Sequence, residues 1–136
     1  MSFFNKIFSN NDNSVNKDNS SSKIKWKSLT ELNELDAVTE FSFKKPVFIF
    51  KHSTRCGISR MVLKQFEKLY DIEKEKAEGY YLDLLEYRPI SNEIALRFGI
   101  THQSPQLILI KNGEAIYDAS HQDIDAESLK KKIETI

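Results

Sequence analysis

Cysteine is nearly missing from this chain: Cys56 is the one example in 136 residues. No disulfide can close within the chain, which excludes a secreted disulfide framework, and a zinc site built from several cysteines is excluded with it. An excess of either charge is also missing. Twenty basic and twenty acidic residues leave a formal net charge of zero, so no strong field draws the protein to nucleic acid or to a membrane. The basic residues form no long run, and Lys130, Lys131 and Lys132 read as a solvated helix face. No segment reaches the roughly 20 apolar residues of a membrane span. The opening Met-Ser-Phe-Phe-Asn-Lys-Ile-Phe is apolar but short, and it lacks the longer apolar stretch and cleavage site of a signal peptide. The expected location is therefore cytoplasmic. Interfacial anchoring through Phe3, Phe4, Ile7 and Phe8 is the weaker alternative, because a surface helix carries a basic face that this segment lacks.

Aromatic residues, by contrast, are plentiful, with nine Phe and five Tyr, which favours a packed globule. Residues 9–22 run SNNDNSVNKDNSSS, twelve of fourteen being Ser, Asn or Asp. Such a stretch cannot bury enough apolar surface to offset its ordering entropy. Residues 1–22 are therefore expected to form a flexible tail and 23–136 a single domain. Within that domain strand and helix signals alternate. Ile24 to Trp26 reads as a first strand. Ser28 and Glu31 have capping-box spacing ahead of Leu32, Leu35 and Val38. Pro46 opens a continuous apolar run, the mark of a strand covered on both faces. After Cys56, Ile58, Met61, Val62, Phe66 and Leu69 trace one face of a long helix. Tyr80 to Leu84 is a third strand, and Glu93 to Phe98 a short helix capped by Gly99. Leu107 to Ile110 and Ala115 to Tyr117 are strands joined by an Asn112-Gly113 hairpin turn. A last helix carries Ala126, Leu129, Ile133 and Ile136. The order β-α-β-α-β-α-β-β-α specifies an α/β fold, a central mixed β-sheet flanked by helices.

The chemistry centres on Cys56, placed just after the buried strand and at the start of a helix. Helix N-termini leave backbone N–H groups unpaired and carry about half a positive charge. Both favour a thiolate, the reactive form in disulfide exchange, and Arg55 adds a positive neighbour. A core cysteine would sit inside the apolar run instead. Thr54 belongs to the same polar loop, and Gly57 lets a partner backbone come close. Ser59 stands three residues after Cys56, where Cys-x-x-Cys oxidoreductases carry a resolving cysteine; its hydroxyl is a candidate hydrogen-bond donor to the thiolate. Pro105, after Ser104, suggests a cis peptide lying against the nucleophile, with the Ser104 backbone free to pair with an extended substrate segment. His52 and His102 flank the two loops expected to meet at Cys56, where either can stabilise a thiolate or pass a proton. His121 is expected only to cap the last helix. Lys51 either adds positive potential or snorkels, its stem covering apolar surface.

The order of elements, the cysteine at the second helix, the Gly99-Ile100 turn and the Ser104-Pro105 loop resemble the thioredoxin superfamily over residues 24–136. More closely, Lys51-His52-Ser53-Thr54-Arg55-Cys56 with Ile58-Ser59, and His102-Gln103-Ser104-Pro105-Gln106, resemble the YtxJ-like monothiol bacilliredoxins. Members of that family commonly carry Pro after the cysteine, where this chain has Gly57. The resemblance implies a monothiol thiol–disulfide oxidoreductase that removes bacillithiol from protein mixed disulfides through Cys56. It also implies bacillithiol as thiol co-substrate with no tightly bound cofactor, bacillithiolated client proteins as partners, and action as a monomer. Arg55, Lys51, His102 and Gln103 are candidates to hold the small thiol.

Two alternatives remain at this point. Cys56-Gly57-Ile58-Ser59 also resembles the Cys-Gly-Phe-Ser motif of monothiol glutaredoxins, which bind an iron–sulfur cluster between two subunits. That family's Gly-Gly pair with a nearby Asp has no counterpart in Tyr117 to Asp123. The other alternative is a non-catalytic thioredoxin-like interaction module with an unreactive thiol.

Overall fold

The run Val47-Phe48-Ile49-Phe50-Lys51-His52 forms strand β2 (Val47–His52), and every residue of it is buried. Alternation along a strand sends neighbouring side chains to opposite faces. Phe48 and Phe50 join one apolar cluster, Val47 and Ile49 the other. A strand buried on both faces belongs in the middle of a covered sheet. In the computed structural model, which describes residues 24–136, β2 is the central strand of five, in the order β1-β3-β2-β4-β5. Strands β1 (Lys27–Ser28) and β3 (Glu78–Asp83) run parallel to it, and β4 (Gln106–Lys111) and β5 (Glu114–Ser120) close the antiparallel side. Helices α2 (Gly57–Leu69) and α4 (Ala126–Glu134) cover the Phe48/Phe50 face through Phe66, Ala126, Leu129 and Ile133. Helices α1 (Glu34–Phe41) and α3 (Arg88–Phe98) cover the other through Leu35, Val38, Ile90 and Ile94. This is the expected α/β architecture, a mixed sheet with helices on both sides. The tail expected at residues 1–22 lies outside the described residues.

Turn chemistry matches the sequence where it is most specific. Asn112 and Gly113 both take positive φ, 54° and 77°, the pairing that a two-residue hairpin turn requires. Gly99 ends α3 in the left-handed region. The Ser104–Pro105 peptide is cis, as its place in the topology suggested.

Several local readings are corrected. The first strand is Lys27–Ser28, paired with Tyr80 and Tyr81, rather than Ile24 to Trp26. Ile24 and Trp26 are half-buried against the core, so their alternation marks burial, while backbone pairing begins one residue later. Ser28 caps nothing, since it lies in β1. The carboxylate that turns back onto the backbone is Glu34's, which accepts from Thr30 N–H and Glu31 N–H at 2.9 and 3.0 Å. Helix α3 starts at Arg88, a turn before Glu93, because Pro89 fits a first helical turn where no N–H partner is needed. Helix α4 is capped by Asp125, which accepts from Ser128 N–H at 3.0 Å; His121 opens a separate short 3-10 turn, His121–Asp123. Ile136 lies beyond the end of α4 and is half exposed.

The face of α2 is also rotated from the expected one. Ile58, Met61 and Leu69 are exposed. The buried stripe is Ser59 and Phe66, with Val62 and Leu63 packed against the core. It is an equally good 3.6-residue repeat, and its head is a polar residue, which concealed it in the sequence.

Candidate active site

Strand β2 ends at His52, and the chain crosses a tight polar turn before α2. Cys56 is the N-cap residue of α2, with extended backbone (φ −98°, ψ 123°), and it is exposed. Its N–H donates to Ser53 O at 3.2 Å and its carbonyl accepts from Arg60 N–H at 3.0 Å, which fixes the residue between turn and helix. No acidic residue stands in the first turn of α2, so nothing there opposes the positive end of the helix dipole. Thr54, Arg55 and Gly57 are exposed around Cys56. The nearest atom to a side chain added at Gly57 is Arg60 Nη2 at 3.8 Å, so this face is open. Arg60, which sequence reasoning did not single out, folds back so that Nη1 donates to Thr54 O at 3.0 Å. A basic residue one turn into the helix was the available signal.

His52 and Ser59 are brought together beneath the turn. Ser59 Oγ accepts from Ser53 N–H at 3.1 Å and lies 2.7 Å from His52 Nδ1. The hydroxyl has one proton and two lone pairs, so with one lone pair taken by Ser53 it still serves either tautomer of the His52 ring. Burial holds the His52 imidazole below its ordinary range; Asp83 opposes this and Arg60 adds to it. The Ser59 hydroxyl is thus engaged with His52 and Ser53.

The second loop, before β4, lies at the same end of the sheet, because β2 leaves and antiparallel β4 enters there with Lys51 opposite Gln106. Ser104 is half-buried and Pro105 buried, and Pro105 O accepts from His121 N–H at 3.0 Å. His102 is exposed, with Nδ1 2.8 Å from Lys51 Nζ and 3.4 Å from Ser91 Oγ. Lys51 does not snorkel: it is 0% exposed, and desolvation lowers its ammonium to about 8. Gln106, also 0% exposed, donates to Thr101 O at 3.0 Å and accepts from Gln103 N–H at 3.3 Å. Beside Cys56, a groove of about 710 Å³ is bordered by His52, Gly57, Ile58, Arg60, Met61 and Glu67. No group of three or more His, Cys, Asp or Glu suited to a metal ion occurs among the described residues, and no helix among them is long and apolar enough to cross a membrane.

The likeness to known proteins agrees with this geometry. A solved structure of a candidate oxidoreductase with a thioredoxin fold is 34% identical, with a TM-score of 0.66, covering 79% of this chain and 91% of its own. The thioredoxin Mala s 13 of Malassezia sympodialis is 23% identical (TM-score 0.65, 84% and 92% covered), and that of Schistosoma mansoni 24% identical (TM-score 0.61, 82% and 95% covered). These last two speak for the thioredoxin fold alone. The family model of the monothiol bacilliredoxin BrxC matches residues 27–129. An exposed lone thiol at a helix N-terminus, a cis proline in the loop entering β4 and this match together give the protein a thiol redox role, and the chain belongs to the monothiol bacilliredoxin family.

Proposed function

We propose that the protein removes bacillithiol from client proteins by thiol–disulfide exchange at Cys56. The observation that carries this reading is a single exposed cysteine at the N-cap of α2, with a buried serine three residues on where a resolving thiol would stand. A one-cysteine enzyme suits a mixed disulfide with a small thiol, since no internal resolving thiol is needed.

In the first step the Cys56 thiolate attacks the bacillithiol sulfur of the mixed disulfide. The Cys56–bacillithiol S–S bond forms as the client's S–S bond breaks, and the client sulfur leaves as thiolate and takes a proton from water. A second low-molecular-weight thiol then attacks the bacillithiol sulfur on Cys56. It departs with bacillithiol as a disulfide, and Cys56 returns as thiolate. Bacillithiol is a co-substrate in this scheme, with no tightly bound cofactor.

Cys56 works from the positive end of the α2 dipole, with Arg55 next to it in the chain and Arg60 one turn on. Ser59 acts through His52 and Ser53, to which its hydroxyl is bound, and so holds the turn that presents Cys56. The open backbone at Thr54 and Gly57 receives the client, the Ser104 backbone beside Pro105 pairs with its extended segment, and His102 contacts the small thiol. The reading places the protein in the cytoplasm, acting as a monomer on bacillithiolated clients.

The test uses a model protein carrying a bacillithiol mixed disulfide, mixed with wild type or Cys56→Ala and followed by intact mass. One bacillithiol gained on wild-type Cys56 with release of the client thiol, and no reaction by the variant, is the expected result. A client that stays capped in the presence of wild type overturns the reading.

A further inference from the structure

Lys51 is a buried cation whose ammonium is met by an imidazole. It occupies the central strand at 0% exposure, and its Nζ ends 2.8 Å from His102 Nδ1. At neutral pH the ammonium has hydrogens and no acceptor lone pair, so it can only donate, and Nδ1 must accept. Ser91 Oγ, 3.4 Å from the same nitrogen, is its other polar neighbour. With Nδ1 accepting, the ring's proton sits on Nε2. The charges that act on the ring are Lys51 from β2 and Arg88 from α3; both oppose a second proton, as burial does. The backbone around the ring is held independently, since the buried Gln106 side chain bonds Thr101 O and Gln103 N–H on either side of His102. The imidazole is thus fixed in place and in tautomer, in a positive environment, on the exposed loop that leads to Ser104–Pro105.

We propose that Lys51 is a positioning residue that holds His102 as the Nε2–H tautomer, and that this N–H donates to a carboxylate of the small thiol. The proposal rests on the bacilliredoxin reading and adds a specificity element to it. An N–H donor beside two cations favours an anionic acceptor over a neutral one. Bacillithiol bears malate carboxylates, so discrimination between it and an otherwise identical thiol lacking malate measures this contact.

Two measurements test it. The ring nitrogens of His102, observed by 15N NMR at neutral pH, are expected to show an unprotonated Nδ1 and a protonated Nε2 in wild type, and a mixture of tautomers in Lys51→Met. The uptake rate on Cys56 is then compared for client disulfides of bacillithiol and of its malate-free cysteinyl-glucosamine analogue. Loss of one hydrogen bond to a charged group reduces preference by about tenfold, so Lys51→Met and His102→Leu should lower the ratio of the two rates by about that factor. His102→Gln, whose amide N–H reaches the Nε2 position, should keep most of it. Ratios equal to that of wild type in all three variants, with transfer intact, overturn the inference and leave the bacilliredoxin reading standing. No transfer by wild type from either disulfide overturns both.

Discussion

The Ser59 hydroxyl lies 2.7 Å from His52 Nδ1 while it accepts from Ser53 N–H at 3.1 Å, which ties the first turn of α2 to the end of β2 directly below Cys56. Both side chains are buried, at 0% and 3% exposure. Ser59→Ala leaves the buried His52 Nδ1 and the half-buried Ser53 N–H without this partner, at an expected cost of about 1–3 kcal/mol. Urea denaturation monitored by circular dichroism checks it, and a change within about 0.5 kcal/mol, the scale of an ordinary surface substitution, would show that the bond contributes little.

Lys51 gives stability an unusual pH dependence. Its ammonium is lowered from 10.5 to about 8 in the folded state by desolvation, so between those values the unfolded chain binds more protons. Stability contributed by this group therefore rises as pH rises from about 8 towards 10.5. Tyr70, Tyr80, Tyr81 and Tyr117 are all raised above 10.0, chiefly by burial, and they reverse the trend above that pH. His52 and His102 are lowered from 6.5, also chiefly by burial, so stability falls as pH drops below 6.5. Denaturation midpoints from pH 7 to 10 should climb in wild type and stay flat in Lys51→Met, with the variant more stable at pH 7 by on the order of 2–3 kcal/mol. A variant less stable than wild type at pH 7 would refute this.

Gly57 is the position at which this chain departs from the proline common in its family. It is the first residue of α2, where proline needs no N–H partner, and Cys56 already has the extended φ and ψ that a following proline demands. The site has open space, with only Arg60 Nη2 at 3.8 Å from an added Cβ. Gly57→Pro is expected to stabilise the fold by about 0.4–1 kcal/mol through the unfolded chain. A thermal melt that shifts downward would contradict the fit.

Gly79 is constrained by packing. In β3 it stands opposite Phe48, and an added Cβ would lie 2.8 Å from Phe48 Cζ and 3.4 Å from Trp26. Phe48 is 0% exposed and packed against the rings of Trp26, Phe66 and Tyr70. Gly79→Ala should cost about 1–3 kcal/mol by overpacking, read as a lower midpoint in urea. An unchanged midpoint would mean that the ring cluster is looser than its geometry implies.

The sequence carried the order of elements, because strong local signals marked it: the apolar run of β2, the Asn112-Gly113 turn, Gly99 as a cap and Pro105 before β4. Cys56 at the head of α2 followed from the same logic. Less legible was whatever depended on a polar residue being buried. The α2 stripe begins at Ser59, which no hydrophobic periodicity marks, so Ile58 and Met61 took its place in the reading. Lys51 lies within an apolar strand, and only its three-dimensional partner, His102, explains why it does not reach for solvent. The bond between Ser59 and His52 likewise links two elements, and spacing alone pointed the serine at the thiol.

Trp26, the chain's one tryptophan, is ringed by Phe48, Phe50, Phe66 and Tyr81 at centroid distances of 5.8 to 6.2 Å. Its indole N–H donates to Glu67 Oε2 at 2.7 Å. Glu67 borders the groove beside Cys56, and Tyr81 and Phe50 both neighbour the His52 ring. The one indole is therefore wired, through a carboxylate and two aromatic neighbours, to the ground on which the thiol stands. Its emission is a native, label-free optical report on the packing beneath that ground.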